Sequence, residues 1–215
     1  LKPGMTIIDC GSNIGFYPLL ESHVLRGNGL IYAIEPDPRN YKILKKNLEI
    51  CPHSKMINPF KIALSNKNGT THMYIAKQSN LNKLFASDNK KFIKRHDIDE
   101  VIDTTTITMD DFCKKEKINP DFIRMDIEGF EVEVFQGMQN LFSDAKSGFM
   151  VFLELHPHAY SEERSFAQEL EKLFDLGYIP KVLISAGEPV PPKYKEFGYK
   201  PKKLIHSDGF LRGYY

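Results

Sequence analysis

The chain has 215 residues, and at roughly 100–200 residues per domain it is read as one domain over 1–215 with a core of its own. Lys and Arg number 29 against 28 Asp and Glu, a formal net charge of +1, which argues against a dedicated nucleic-acid binder, since those carry a basic excess. No apolar run approaches the ~18–20 residues of a membrane span.

Residues 5–10 are predicted to be a buried strand ending at Asp9, followed by a glycine-containing turn and a helix over about 15–25. Residues 30–35 are a second strand. Asp37 is a good helix cap and Pro38 suits the first helical position, so a helix is expected from there, with Tyr41, Leu44 and Leu48 on one stripe. A third strand is expected near 56–62, and an antiparallel one over 70–76 after the Asn68-Gly69 turn. Residues 77–103 are polar and weakly periodic and read as a long loop or irregular helical insert, either a lid or substrate loop or a disordered stretch; its Lys90, Lys91, Lys94, Arg95 and His96 either meet an acidic acceptor or are simply solvated. Residues 104–108 are β-prone, 109–116 form a short helix, and 121–126 a strand. A helix carrying Phe130, Val134, Met138 and Leu141 follows. A strand over 148–155 and a helix with Phe166, Leu170, Leu173 and Phe174 come next. Strands near 178–184 and 204–212 should finish the sheet, around a Pro- and Lys-rich surface loop at 186–203. The alternation makes this an α/β chain with a mostly parallel, Rossmann-like sheet.

Cys10, Cys51 and Cys113 are odd in number, widely spaced and without a C-x-x-C pair, so neither a disulfide framework nor a zinc knuckle is expected, and a reducing, cytoplasmic setting is. The chain opens on Leu1 rather than Met, so a trimmed start is expected and a targeting segment could have preceded it.

The sharpest motif is Asp9-Cys-Gly11-Ser12-Asn13-Ile-Gly15, at a strand-to-helix turn, with Glu35 at the end of the next strand. Glycines let backbone approach a ligand, and a carboxylate there can accept both hydroxyls of a ribose. A dinucleotide site wants G-x-G-x-x-G, but Asn13 and Phe16 stand at its second and third glycine positions. The phosphate loop G-x-x-x-x-G-K-[ST] is absent too. The turn therefore suits an adenosine ligand without a pyrophosphate, and S-adenosylmethionine (SAM) fits. Its ammonium needs an acceptor and its carboxylate needs donors; Asp9, carbonyls near Gly11 and the Asn13 amide can supply them.

Asp9-Cys-Gly-Ser-Asn-Ile-Gly-Phe-Tyr17, then Ile34-Glu-Pro-Asp-Pro38, then Ile123-Arg-Met-Asp-Ile-Glu-Gly129 resembles the FkbM family of SAM-dependent methyltransferases. Phe152-Leu-Glu-Leu-His156 is similar to that family's fifth-strand ending. The first two motifs are shared by most class I methyltransferases; the Asp-Ile-Glu-Gly segment is the family-specific part. The resemblance runs from Leu1 to about residue 184. It implies a seven-stranded sheet with helices on both faces and one antiparallel strand, and O-methylation of a hydroxyl on a sugar, glycan or polyketide-type natural product. The cofactor set is then Asp9, Gly11, Ser12, Asn13, Gly15, Phe16, Glu35, Pro36, Ala63 and Asp126.

Asp126 ends the fourth strand, and Glu154 and His156, two apart, share one side of the fifth. These three are the catalytic candidates. An alcohol is a poor nucleophile until its proton is removed, and His156 is the natural base, with Asp126 second or orienting the acceptor. Asp126, Glu154 and His156 could also hold a divalent metal if they converge, but no tight ligand spacing exists and no metal is expected. His156 could instead be an inert loop histidine. Glu131 reads as structural, a carboxylate favoured at a helix start, and Glu128 could be either. Arg124 shares a face with Asp126 and, once buried, needs a carboxylate partner; pairing with Asp126 would weaken that residue as a base.

The expected partner is a small-molecule, sugar or glycan acceptor, with no nucleic acid. An adenine-methylating enzyme on this fold wants an Asn/Asp-Pro-Pro-aromatic element after the fourth strand, where Asp126-Ile-Glu-Gly129 stands; a cytosine-methylating one wants Pro-Cys, and only Cys51-Pro52 occurs. A module that binds SAM without turnover stays open.

Overall fold

The computed structural model describes residues 1–76, 98–144, 149–156 and 159–182, together with the backbone of strands at 83–85, 183–184, 203–205 and 212–214. The two compact units are Leu1–Leu170 and Glu171–Tyr215.

In the first unit, β1 (Thr6–Cys10) and β2 (Leu30–Ile34) are buried at each of their last four positions, so they read as continuous apolar runs rather than alternating ones. That is the signature of strands covered on both faces. Between them α1 (Phe16–Val24) crosses over. The next helix, α2 (Pro38–Glu49), starts where the capping chemistry demands. The Asp37 carboxylate accepts the Arg39 N–H at 2.7 Å, and Pro38 fills the first position, where its missing N–H costs nothing. A 3-10 turn at Ser54–Met56 leads into β3 (Ile57–Phe60). Ile7, Ile31, Ala33 and Ile57 from one face of these strands pack against Leu25, Leu44, Leu48 and Met56. On the opposite face Tyr32 and Phe60 meet Phe112 edge-on.

A separate four-stranded sheet follows from β4 (Ala63–Leu64), β5 (Gly69–Ala76), β6 (Lys83–Phe85) and β7 (Ile98–Ile107), in the order β4-β7-β5-β6. As expected, β5 is antiparallel. Residues 98–103, expected within the loop 77–103, belong instead to β7, which runs unbroken into the β-prone 104–107. Its exposed outer half carries Asp99, Glu100 and Asp103, so no apolar alternation marks it, and pairing with β5 supplies the order. Lys90, Lys91, Lys94, Arg95 and His96 lie outside the described residues, as does most of 186–203.

Thr108 caps α3 (Met109–Glu116) by accepting the Asp111 N–H at 3.1 Å, and β8 (Phe122–Met125) follows. The single helix expected through Phe130 and Leu141 is two short ones, α4 (Glu131–Gln136) and α5 (Gln139–Ser143). The break falls at Gly137, which is pressed against the Ser65 carbonyl so closely that a Cβ there would lie 2.1 Å from it. Then come β9 (Met150–Leu153) and α6 (Phe166–Asp175).

The central sheet has the order β3-β2-β1-β8-β9, with every neighbouring pair parallel. Strand order reverses between β1 and β8, which opens a crevice at the carboxyl ends of these strands. The α/β class and the mostly parallel Rossmann-like sheet stand, with five strands rather than seven. In the second unit β10 (Leu183–Ile184), β11 (Lys203–Ile205) and β12 (Arg212–Tyr214) pair antiparallel among themselves as β10-β12-β11, so the last expected strands do not extend the central sheet. Among the described residues no helix is long and apolar enough to cross a membrane.

Candidate active site

The turn after β1 is shaped by its neighbours. Gly11 sits at φ 81, and a Cβ there would lie 1.9 Å from the Asp126 carbonyl oxygen, so the backbones leaving β1 and β8 can touch only through a glycine. The Gly11 and Ser12 N–H groups both donate to the Ile34 carbonyl at 3.0 Å. The turn is thereby tied to the end of β2 on one side and to β8 on the other.

Glu35 closes the same turn. It is 5% exposed, and its two oxygens accept the Asn13 N–H at 2.8 Å and the Asp37 N–H at 2.9 Å. Burial outweighs these donors and pushes its carboxyl up to about 7. The folded chain therefore keeps a proton that the unfolded chain releases from about pH 4.5 upward. The stability this group contributes is full below that value and is lost as pH rises through about 7. Glu21 adds a second loss that overlaps this one and runs on to higher pH, since burial and the neighbouring Asp9 push its carboxyl up to about 9. Glu35→Gln is expected to lessen the fall in stability between about pH 5 and pH 7, leaving the part due to Glu21. Urea unfolding across that range measures it, and an unchanged slope would show that Glu35 is not the group responsible.

Asp9 and Arg124 are register partners on β1 and β8. Arg124 donates from Nη1 to Asp9 Oδ1 at 2.8 Å and from Nη2 to Asp126 Oδ2 at 2.9 Å, and its guanidinium stacks 3.6 Å from the centre of the Tyr17 ring. Asp9, expected to receive an ammonium group, is completely buried and committed to Arg124; it lies behind the site rather than in its wall. The expected pairing of Arg124 with Asp126 is present, Nη2 lying 2.9 Å from Oδ2.

A cavity of about 450 Å³ opens above this layer, a size usual for small-ligand sites. Gly11, Ser12, Asn13, Phe16, Glu35, Pro36, Ala63 and Asp126 line it, so of the expected cofactor residues only Asp9 and Gly15 do not. Gly15 shapes it from behind, at φ 94 against Leu44. The donor set suits an adenosine-type ligand. Glu35, held by the Asn13 and Asp37 N–H groups and by the Asn40 side chain, stands in the wall as a carboxyl, and Leu64 and Met73 offer apolar surface for a flat ring. Tyr17, Asn40 and Met73 line the cavity unforeseen, and Glu128, which the sequence leaves open, lines it too. Met73 arrives from the separate sheet, which no local pattern foretells.

At one side of the cavity lies an acid–histidine cluster. Asp126 follows β8, and Glu154 follows β9, its N–H donating to the Met125 carbonyl at 2.9 Å. The expected trio does converge: Asp126, Glu154 and His156 bring side-chain heteroatoms within 4.8 Å of one another, with Glu154 exposed. Arg124 faces Asp126, and the His156 ring faces three carboxylates. His156 Nδ1 is 3.0 Å from Glu131 Oε1, and Nε2 is 3.5 Å from Glu128 Oε2 and 4.0 Å from Asp126 Oδ1. The hydrogen bond to Glu131, then the charges of Glu131, Glu128 and Asp126, raise the imidazole above its ordinary value against the opposing effect of burial.

Two residues of this cluster were not foreseen in their roles. Glu131, read as a carboxylate favoured by the helix dipole, is completely buried and accepts the Gly129 N–H at 3.1 Å and the Tyr160 O–H at 2.9 Å besides meeting His156. Burial alone would raise its carboxyl; the bonds from His156 and from the surrounding N–H groups make the net change a lowering. Tyr160 also accepts the His156 N–H at 3.2 Å. A clue existed in the four-residue spacing from His156 to Tyr160, but nothing in one sequence brings the helix start at Glu131 against either.

A family model described as the methyltransferase FkbM domain matches residues 9–180. The hexuronic acid methyltransferase AglP of Haloferax volcanii is 25% identical over 149 residues, which cover 69% of this chain and 54% of that protein. The chain thus spans about half the length of the curated relative it matches. Among solved structures, methyltransferase FkbM from Methylobacillus flagellatus KT superposes with a TM-score of 0.54 at 16% identity, covering 100% of this chain and 44% of that one. That likeness is one of fold.

Proposed function

The chain belongs to the methyltransferase FkbM family, and from that premise we propose that it transfers a methyl group from SAM to a hydroxyl of a sugar, glycan or natural-product acceptor. The observation that carries the reading is the adjacency of the cavity at the β1, β2 and β8 ends to a histidine backed by a buried carboxylate. The sugar class takes its support from the relative that acts on a hexuronic acid.

SAM, when bound, supplies an electrophilic methyl on a sulfonium and leaves as a neutral thioether. The chain's own work is then positional and basic. The Gly11–Asn13 turn and Glu35 hold the nucleoside, and Leu64 and Met73 exclude water from it. Arg124 fixes Asp126 at the rim, where Oδ1, on the side of His156 Nε2, can orient the acceptor hydroxyl. His156 Nε2 accepts the hydroxyl proton as the oxygen–carbon bond forms, and the carboxylates around the ring stabilise the imidazolium that results. Glu154, exposed beside them, meets the acceptor from the open side.

The test is transfer of labelled methyl from SAM to a panel of uronic acids, neutral sugars, polyketide alcohols and nucleic acid, with and without EDTA. A labelled methyl ether is expected from at least one sugar. SAM binding with no transfer to any acceptor would favour a binding module, and methylation of nucleic acid instead would overturn the acceptor class.

A further inference from the structure

We propose that Glu131 is a positioning residue: through a hydrogen bond to Nδ1 it fixes which nitrogen of His156 carries the proton and turns Nε2 toward the cavity rim. The inference deepens the methyltransferase reading and rests on it for the purpose of the arrangement, though not for the arrangement itself.

A neutral imidazole has one N–H, and the partner of one nitrogen decides what the other can do. Glu131 Oε1 stands 3.0 Å from Nδ1, where an ionised carboxylate can only accept, so the proton is held on Nδ1. The lone pair then falls on Nε2, on the side of Asp126 and Glu128, both of which line the cavity. The carboxylate is itself immobilised. The Gly129 N–H and the Tyr160 O–H occupy its oxygens, and the Tyr160 oxygen accepts the His156 main-chain N–H, so tyrosine, carboxylate and ring form one closed set. Behind it Arg164 donates to the carbonyls of Gly129 at 3.0 Å and Ala159 at 2.8 Å, pinning the two segments that carry the set. The charged and titratable groups facing the ring or its carboxylate are thus Asp126, Glu128, Glu154, Tyr160 and Arg164. A helix-start glutamate needed only for the dipole has no reason to be completely buried with its oxygens engaged on both sides. Carboxylate-oriented histidines use this logic wherever one ring nitrogen must stay free to take a proton.

The decisive readout is the tautomer, followed by long-range proton–nitrogen NMR on protein labelled at histidine nitrogen, without SAM or acceptor and at a pH where the ring is neutral. In the parent the His156 proton is expected on Nδ1. In Glu131→Gln, whose amide can donate as well as accept, that preference is expected to weaken at least several-fold. Tyr160→Phe, which removes one bond from the carboxylate and the acceptor of the His156 main-chain N–H, should move the tautomer ratio the same way by less. In transfer assays Glu131→Gln should lower kcat by at least roughly tenfold while acceptor KM stays within about twofold. A parent ring protonated on Nε2, or a ratio unchanged in both variants, would overturn the proposal. Because the spectra need no turnover, a failure to find any methyl transfer would count against the function and leave the positioning result standing.

Discussion

Arg124→Met is expected to destabilise the protein by about 3–5 kcal/mol, enough to lower its melting temperature by roughly 10 °C. Arg124 is 4% exposed and lies between Asp9, which is completely buried, and Asp126. Methionine fills much of the same volume, so the loss comes chiefly from charge. Asp9 would be left as a carboxylate with no cation in an apolar layer, next to Glu21, whose own carboxyl is already raised by burial. Taking a proton would relieve Asp9 only partly, because its Oδ2 already lacks a hydrogen-bond partner. The stack on Tyr17 would go as well. The double variant Asp9→Leu with Arg124→Met removes the stranded charge and should recover a large part of the loss, since a buried pair is worth far less than either half costs alone. Thermal and urea unfolding measure both. A single variant within about 1 kcal/mol of the parent, or a double variant no better than the single, would mean that this pair does not hold the layer beneath the cavity.

The second large effect is on turnover. His156→Ala should lower kcat by about 10²–10⁴, the usual contribution of a general base, while SAM affinity changes by no more than about twofold. The separation follows from position: the walls of the cavity include Asp126 and Glu128 but not His156. Surrounding carboxylates raise the imidazole, so the parent rate should climb with pH to a plateau reached above the ordinary histidine range. The variant should lose that limb. Pre-steady-state transfer with calorimetry of SAM on the same samples checks both parts, and an unchanged kcat would remove His156 from the mechanism.

Much of this arrangement is legible in sequence wherever the cause is local. The glycines at 11 and 15, the cap at Asp37 and the carboxylate at Glu35 each answer a backbone requirement within one crossover, and the structure places them as the motif spacing implies. Strand ends are legible for the same reason, and the sequence alone groups Asp126, Glu154 and His156 there. What stayed hidden depends on register and on distant packing. Asp9 looks like a ligand from its motif, yet the alignment of β1 with β8 sets it opposite Arg124 and consumes it. Glu131 looks like a helix-start acid, yet the segment after β9 folds back over it. The outer half of β7 carries charges that mimic a loop, and only its pairing with β5 makes it a strand.

The proposed reaction requires that the cavity at the carboxyl ends of β1, β2 and β8 be a SAM site. Isothermal titration of the protein with SAM, and with NAD⁺ for comparison, tests that most directly. One equivalent of SAM should bind with a Kd on the order of micromolar, roughly −8 kcal/mol, NAD⁺ should give no saturable heat, and Ala63→Phe, which fills the cavity, should abolish the SAM signal. No SAM binding, equal binding of NAD⁺, or full binding by Ala63→Phe would contradict it.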